Sequence, residues 1–144
     1  MATFTKVNDF VEALAEKKHD LGSDTLTIAL SNTAPASESS DPTADGNGVL
    51  ANVTEISYTN CSTRVITTTS SAQTSGTYKL VLTDLVLTAT GGAIADFRYI
   101  YIYNDTATND ELVGVYDYGS TVTVSEDATF TIDFDASNGL LTLA

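Results

Sequence analysis

The sequence predicts a mainly β protein, an antiparallel sandwich or barrel-like domain with one N-terminal amphipathic helix. Three observations predict it. Short alternating runs separated by turn residues recur evenly over residues 97–143, marking a β core region, as in sandwiches and barrels. The stretch Phe97-Arg98-Tyr99-Ile100-Tyr101-Ile102-Tyr103 is apolar or aromatic at both parities, so it belongs in an interior. Only residues 4–18 carry a helical stripe. With 144 residues, 42% of them hydrophobic, a single domain over 1–144 can bury a core.

In the helix, Phe4, Val7, Phe10, Val11 and Leu14 recur at three- and four-residue steps. Thr3 or Thr5 can cap its start, Lys17, Lys18 and His19 sit where cations favour the dipole, and Gly22 lies beyond. The stripe suits docking on the chain's own core or on a neighbour, and His19 beside Asp20 reads as a surface histidine. Residues 25–30 alternate as a strand with Leu26, Ile28 and Leu30 facing in, stopped before Pro35. Residues 33–48 hold nothing apolar enough to bury and read as a long exposed loop, mobile or a contact arm.

Apolar character returns at 49–56, and 62–69 reads as a short strand before a Thr- and Ser-rich turn at 70–77. In the strand at 78–90, Tyr78, Leu80 and Leu82 share one parity and Leu85 and Leu87 the other, so a bulge or bend falls near Thr83-Asp84. Gly91-Gly92 turns the chain, and 93–96 reads as one helical turn. Strict alternation then puts Phe97, Tyr99, Tyr101 and Tyr103 on one face of a central strand, with Arg98, Ile100 and Ile102 on the other. Its second face needs a cover: residues 4–18, another sheet, or a neighbouring subunit, with cover from the same chain favoured. Strands follow at 112–118 (Leu112, Gly114, Tyr116 and Tyr118 on one face), 121–125, 129–134 and, after the Asn138-Gly139 turn, 140–143.

The chemical inventory is thin. Six basic residues against 19 acidic ones give a formal charge of −13, which disfavours nucleic acid. No apolar run is long enough to span a membrane, and the opening residues lack a secretory core, so synthesis in the cytoplasm is expected. One cysteine, Cys61, excludes an intrachain disulfide. No nucleophile elbow, phosphate loop or paired-histidine zinc pattern occurs, so no catalytic residue, no cofactor and no enzyme is expected. Calcium is the one metal worth weighing: Asp41, Thr43, Asp45 and Gly46 match the start of an EF-hand loop, but its last ligand falls on Asn52 and no helices flank it.

The runs Phe10-Val11-Glu12-Ala13-Leu14-Ala15, Ser23 through Pro35, Tyr99 through Asp105, Leu112 through Gly119 and Phe130 through Phe134, taken in order, span most of the chain. Together they resemble small virion structural proteins of tailed bacteriophages, although residues 36–48 depart from the tighter spacing expected after Asn32-Thr33-Ala34-Pro35. The resemblance implies a capsid decoration (cement) protein, made in the host cytoplasm and carried on the capsid surface. Its implied partners are the major capsid protein and itself, as a homotrimer. A tail, head-fibre or adhesin-type module is the alternative. Phe4, Val7, Phe10, Val11, Leu14, Tyr99, Tyr101 and Tyr103 are the expected partner or self-association contacts.

Overall fold

The computed structural model describes residues 2–144. The β7 strand (Ile94–Asn104) lies in the middle of a five-stranded antiparallel sheet. β8 (Leu112–Val124) flanks it on one side and β2 (Leu26–Ser31) on the other. β1 (Thr3–Lys6) and β3 (Val65–Ile66) are the two edges. The second layer holds two smaller sheets. One is ordered β10 (Leu141–Leu143), β5 (Thr77–Leu82), β4 (Thr68–Thr74), and the other pairs β6 (Leu85–Thr88) with β9 (Thr129–Ile132). The result is a mainly β, antiparallel, sandwich-like fold with one short helix.

Between the layers, Ile28 and Leu30 of β2, Ile100 and Ile102 of β7 and Tyr116 of β8 share one core with Leu80, Leu82, Leu85, Leu87, Ile132 and Phe134. The Tyr116 and Phe134 ring centroids are 6.4 Å apart. The parity slip at Thr83-Asp84 is a change of sheet. Leu80 and Leu82 face the core from β5, whereas Leu85 and Leu87 face it from β6. The Asp84 carboxylate steadies that corner by accepting the Phe134 amide at 3.0 Å.

Tyr99, Tyr101 and Tyr103 point away from the second layer, yet they are at most 7% exposed. Their β2 partners Ser31, Ala29 and Thr27 are buried as well. The cover is the segment 32–58. Burial pushes the pKa of the Tyr101 and Tyr103 hydroxyls up, and the Glu38 and Asp41 carboxylates add to the rise at Tyr101. The segment is pinned at several points. Asp9 accepts the Gly46 and Gly48 amides at 2.8 Å each, Leu112 donates to Gly48 O, and Ile56 donates to Leu30 O. The Tyr58 hydroxyl accepts the Leu30 amide at 2.9 Å, standing in for a ladder carbonyl on the edge of β2. Residues 33–48 are therefore anchored over aromatic rings and mostly half-buried, where an exposed loop was expected.

The helix expected over 4–18 is only α1 (Phe10–Ala15). Thr3 to Lys6 instead add β1 to β8, because Gly114 leaves room for the Phe4 ring against the sheet. At the other end, Lys17 adopts φ +63°, its amide donates to Leu14 O, and the Lys18 amide donates to Ala13 O. This left-handed cap stops the helix well before Gly22. The turn expected at 70–77 belongs largely to β4, which pairs with β5, and residues 94–96 are extended within β7 rather than helical.

Two mutations test these supports. A Cβ at residue 114 would sit 2.4 Å from the Phe4 ring and 2.6 Å from Thr5 O. Gly114→Ala is expected to cost roughly 1–3 kcal/mol and to speed hydrogen exchange in β1. Asp9→Ala leaves the Gly46 and Gly48 amides without their carboxylate. It is expected to lower stability by about 1–3 kcal/mol in urea titration, with faster exchange concentrated at 46–49.

Candidate partner-contact groove

The alternation of β7 breaks at Arg98. Phe97 packs edge-on against Phe130 of β9, with centroids 5.4 Å apart, whereas Tyr99 lines the opposite side of the sheet. The cause lies in β8. Tyr99 pairs with Asp117 and Phe97 with Val122, so residues 118–121 of β8 lie opposite Arg98 alone. This excursion is a wide bulge turned by Gly119 at φ +89°. The single strand β8 therefore replaces the two strands expected at 112–118 and 121–125.

The bulge has a built-in brace. Arg98 donates from Nε to Asp117 Oδ1 at 2.7 Å and from its terminal nitrogen to Oδ2 at 2.9 Å, and Gly119 N–H donates to Oδ1 at 2.8 Å. The guanidinium fork, helped by that amide, holds the Asp117 carboxyl below its usual range. The Arg98 guanidinium also lies 5.2 Å from the centroid of Tyr99. The brace flanks Tyr118, which is 47% exposed, with the Phe130 ring beside it at 5.5 Å.

Tyr118 and Gly119 form one lip of a groove of about 930 Å³ on the outer face of β1, β8 and β7. Thr3, Thr5, Val115, Asp117 and Tyr99 line its floor, and Ala34 to Ala36, Asp41 and Thr43 form the opposite wall. Among the described residues no lysine or arginine lines it.

The expected contacts fall elsewhere. Val7, Phe10, Tyr101 and Tyr103 are buried in the chain's own core, Phe4 is half-buried beside Tyr116 at 5.2 Å, and Tyr99 shows only its edge to the groove. These side chains hold the fold together and offer a partner little surface, because β2 and residues 99–104 of β7 are buried throughout. Of the helix stripe, Val11 is 52% exposed and Leu14 half-buried. Asp41 turns inward to its own loop, accepting the Thr43 amide and hydroxyl, while Asp45 accepts from Asn8. The described residues contain no group of three or more potential ligand side chains placed to hold a metal ion. Tyr118 itself was not singled out by the sequence. A glycine after alternating residues is the signal that could have found it, since a glycine inside a strand marks a bulge as readily as a turn.

No protein-family model matches the chain, and neither a curated protein nor a solved structure similar to it was found. None of the described helices is long and apolar enough to cross a membrane.

His19 is not the surface histidine expected. It is 5% exposed, with its ring 5.2 Å from that of Phe10. Burial outweighs the nearby Glu111 and Asp24 carboxylates and pushes its pKa below the ordinary 6.5. An unfolded chain takes up a proton near that value when the folded chain does not. The contribution of His19 to stability is therefore present above pH 6.5 and declines as pH falls, levelling off below the folded-state pKa. Urea midpoints between about pH 7.5 and about pH 5.5 should fall less for His19→Gln than for the wild type.

Proposed function

We propose that the protein is a non-enzymatic virion structural protein that binds the outside of a phage head and stabilises it by bridging capsid subunits. The observation that carries this reading is Tyr118, an exposed aromatic on a braced bulge at the lip of a groove. The backbone on either side of this ring is already braced by Asp117 and Gly119, so docking need not order the loop, which suits an interface anchor. The order of its segments, resembling small virion structural proteins of tailed phages, implies a decoration role and hence a major capsid protein as partner. The formal charge of −13 favours a basic surface on that partner. The homotrimer belongs to the same proposal and rests on the resemblance, since the tyrosines of β7 are taken up within one chain.

A second reading, a tail, head-fibre or adhesin-type module on a host glycan, is favoured by the groove's lining. Thr3 and Thr5 present hydroxyls, the Asp41 and Asp117 carboxylates already accept within the chain, and no lysine or arginine is among the lining residues. That chemistry suits a neutral polyhydroxyl ligand better than an anion.

Sedimentation of the purified protein with decoration-free heads separates the two readings. Saturable binding and greater heat resistance of the heads are expected, with Tyr118→Ala weakening binding by about tenfold or more and leaving the urea midpoint nearly unchanged. Binding to tail fractions or cells, with none to heads, would overturn the first reading in favour of the second.

A further inference from the structure

Tyr118 lines a second opening besides the groove. β9 is paired on one side only, with β6, and β1 starts at Thr3, opposite Asp117, so β8 beyond Asp117 is paired with β7 alone. In the seam this leaves between β8 and β9 lies a slot of about 140 Å³. Ile100, Tyr116 and Ile132, each at most 8% exposed, are core side chains that reach it, and Tyr118 and Phe130 line it as well. The Phe130 ring is in T-shaped contact with Phe97 at 5.4 Å and with Tyr118 at 5.5 Å.

Size and lining decide what fits. A mostly aromatic and aliphatic lining is a poor host for water, which needs about two to four polar partners. The volume lies below the roughly 300–1,000 Å³ of small-molecule sites. Apolar cavities of roughly 150 Å³ do take up benzene, which has the bulk of one side chain. Asp133 is the one charged residue lining the slot, and it is exposed. Its Oδ1 accepts the Asp135 amide at 2.9 Å, and Oδ2 has no partner among the described residues. Burial, with the Asp133 and Asp135 carboxylates adding to it, pushes the Tyr116 hydroxyl up to about 12, so negative charge is felt at this opening. No lysine or arginine lines the slot or the groove, and Arg98 is engaged by Asp117.

We propose that the slot receives one aliphatic side chain from a segment of a partner protein, with a lysine or arginine beside that side chain pairing with Asp133. The apolar group packs on Ile100, Ile132 and the Phe130 ring, and the cation answers the one free carboxylate oxygen at the mouth. A second copy of the chain does not supply such a segment. Of its exposed large apolar residues, Val11, Val65, Val86 and Tyr118, only Val65 has a basic neighbour in sequence. That neighbour, Arg64, is stacked on the Tyr58 ring and paired with Glu55. The proposal deepens the reading of Tyr118 as an interface anchor and rests on that reading for its partner.

The test uses the full chain with three peptides, acetyl-Lys-Leu-Lys-amide, acetyl-Lys-Ala-Lys-amide and acetyl-Glu-Leu-Glu-amide, followed by the methyl resonances of Ile100 and Ile132. The Lys-Leu-Lys peptide is expected to shift both methyl groups saturably and to bind about tenfold or more tightly than Lys-Ala-Lys. Glu-Leu-Glu should bind several-fold more weakly than Lys-Leu-Lys. Asp133→Asn, which keeps an oxygen for the Asp135 amide, should weaken Lys-Leu-Lys several-fold and narrow its lead over Glu-Leu-Glu. Unmoved Ile100 and Ile132 resonances, equal binding of the Leu and Ala peptides, or a Lys-over-Glu preference left whole by Asp133→Asn would each overturn the proposal. Decoration-free heads separate it from the reading it rests on. Heads that bind wild type and Asp133→Asn equally would overturn the slot and leave head binding standing. A peptide seated on Ile100 and Ile132, with no binding to heads, would overturn the head reading alone.

Discussion

The structure depends on burying both faces of β7. Its Ile100 and Ile102 face meets a second layer of strands in the ordinary way of a sandwich. Its tyrosine face has no third sheet to meet. It is sealed by an irregular segment, 32–58, whose large apolar side chains on the core are Leu50, Val53, Ile56 and Tyr58. Such a cover cannot hold by hydrophobic burial alone. It is held by hydrogen bonds at its turns: the Asp9 carboxylate on two glycine amides, the Glu38 carboxylate on the Thr54 amide and hydroxyl, and the Tyr58 hydroxyl on the open edge of β2. A run of Ser, Asp, Thr and Gly is suited to this task, because its side chains bond readily to nearby backbone.

That solution has a consequence for function. Once β7 is buried within one chain, its aromatic side chains are not available to a partner, and recognition has to come from features that escape the core. One does. Tyr118 escapes because extra residues in β8 lift it out of the ladder, with Arg98 and Asp117 bracing the bulge beside it. A polar clamp inside the protein thus places one exposed ring for an encounter outside it.

The sequence by itself determined the β class, the central position of 97–103, the inward set Leu26, Ile28 and Leu30, the break at Thr83-Asp84 and the turns at Gly91-Gly92 and Asn138-Gly139. These are short-range properties, set by alternation and by residues whose backbone preferences act within a few positions. Tertiary structure decided the rest, and in each case the deciding group is distant in sequence. Gly114 turns Thr3 to Lys6 from helix to strand by making room for Phe4. Asp9 ties down a loop that by composition looks free. The unequal lengths of β7 and β8 send Tyr118 outward and break the alternation at Arg98. Asn104 and Phe10 enclose a histidine that its own neighbours in sequence would leave at the surface. Periodicity records which side chains share a face; what covers that face depends on chain returning from tens of residues away, and no local pattern encodes the return.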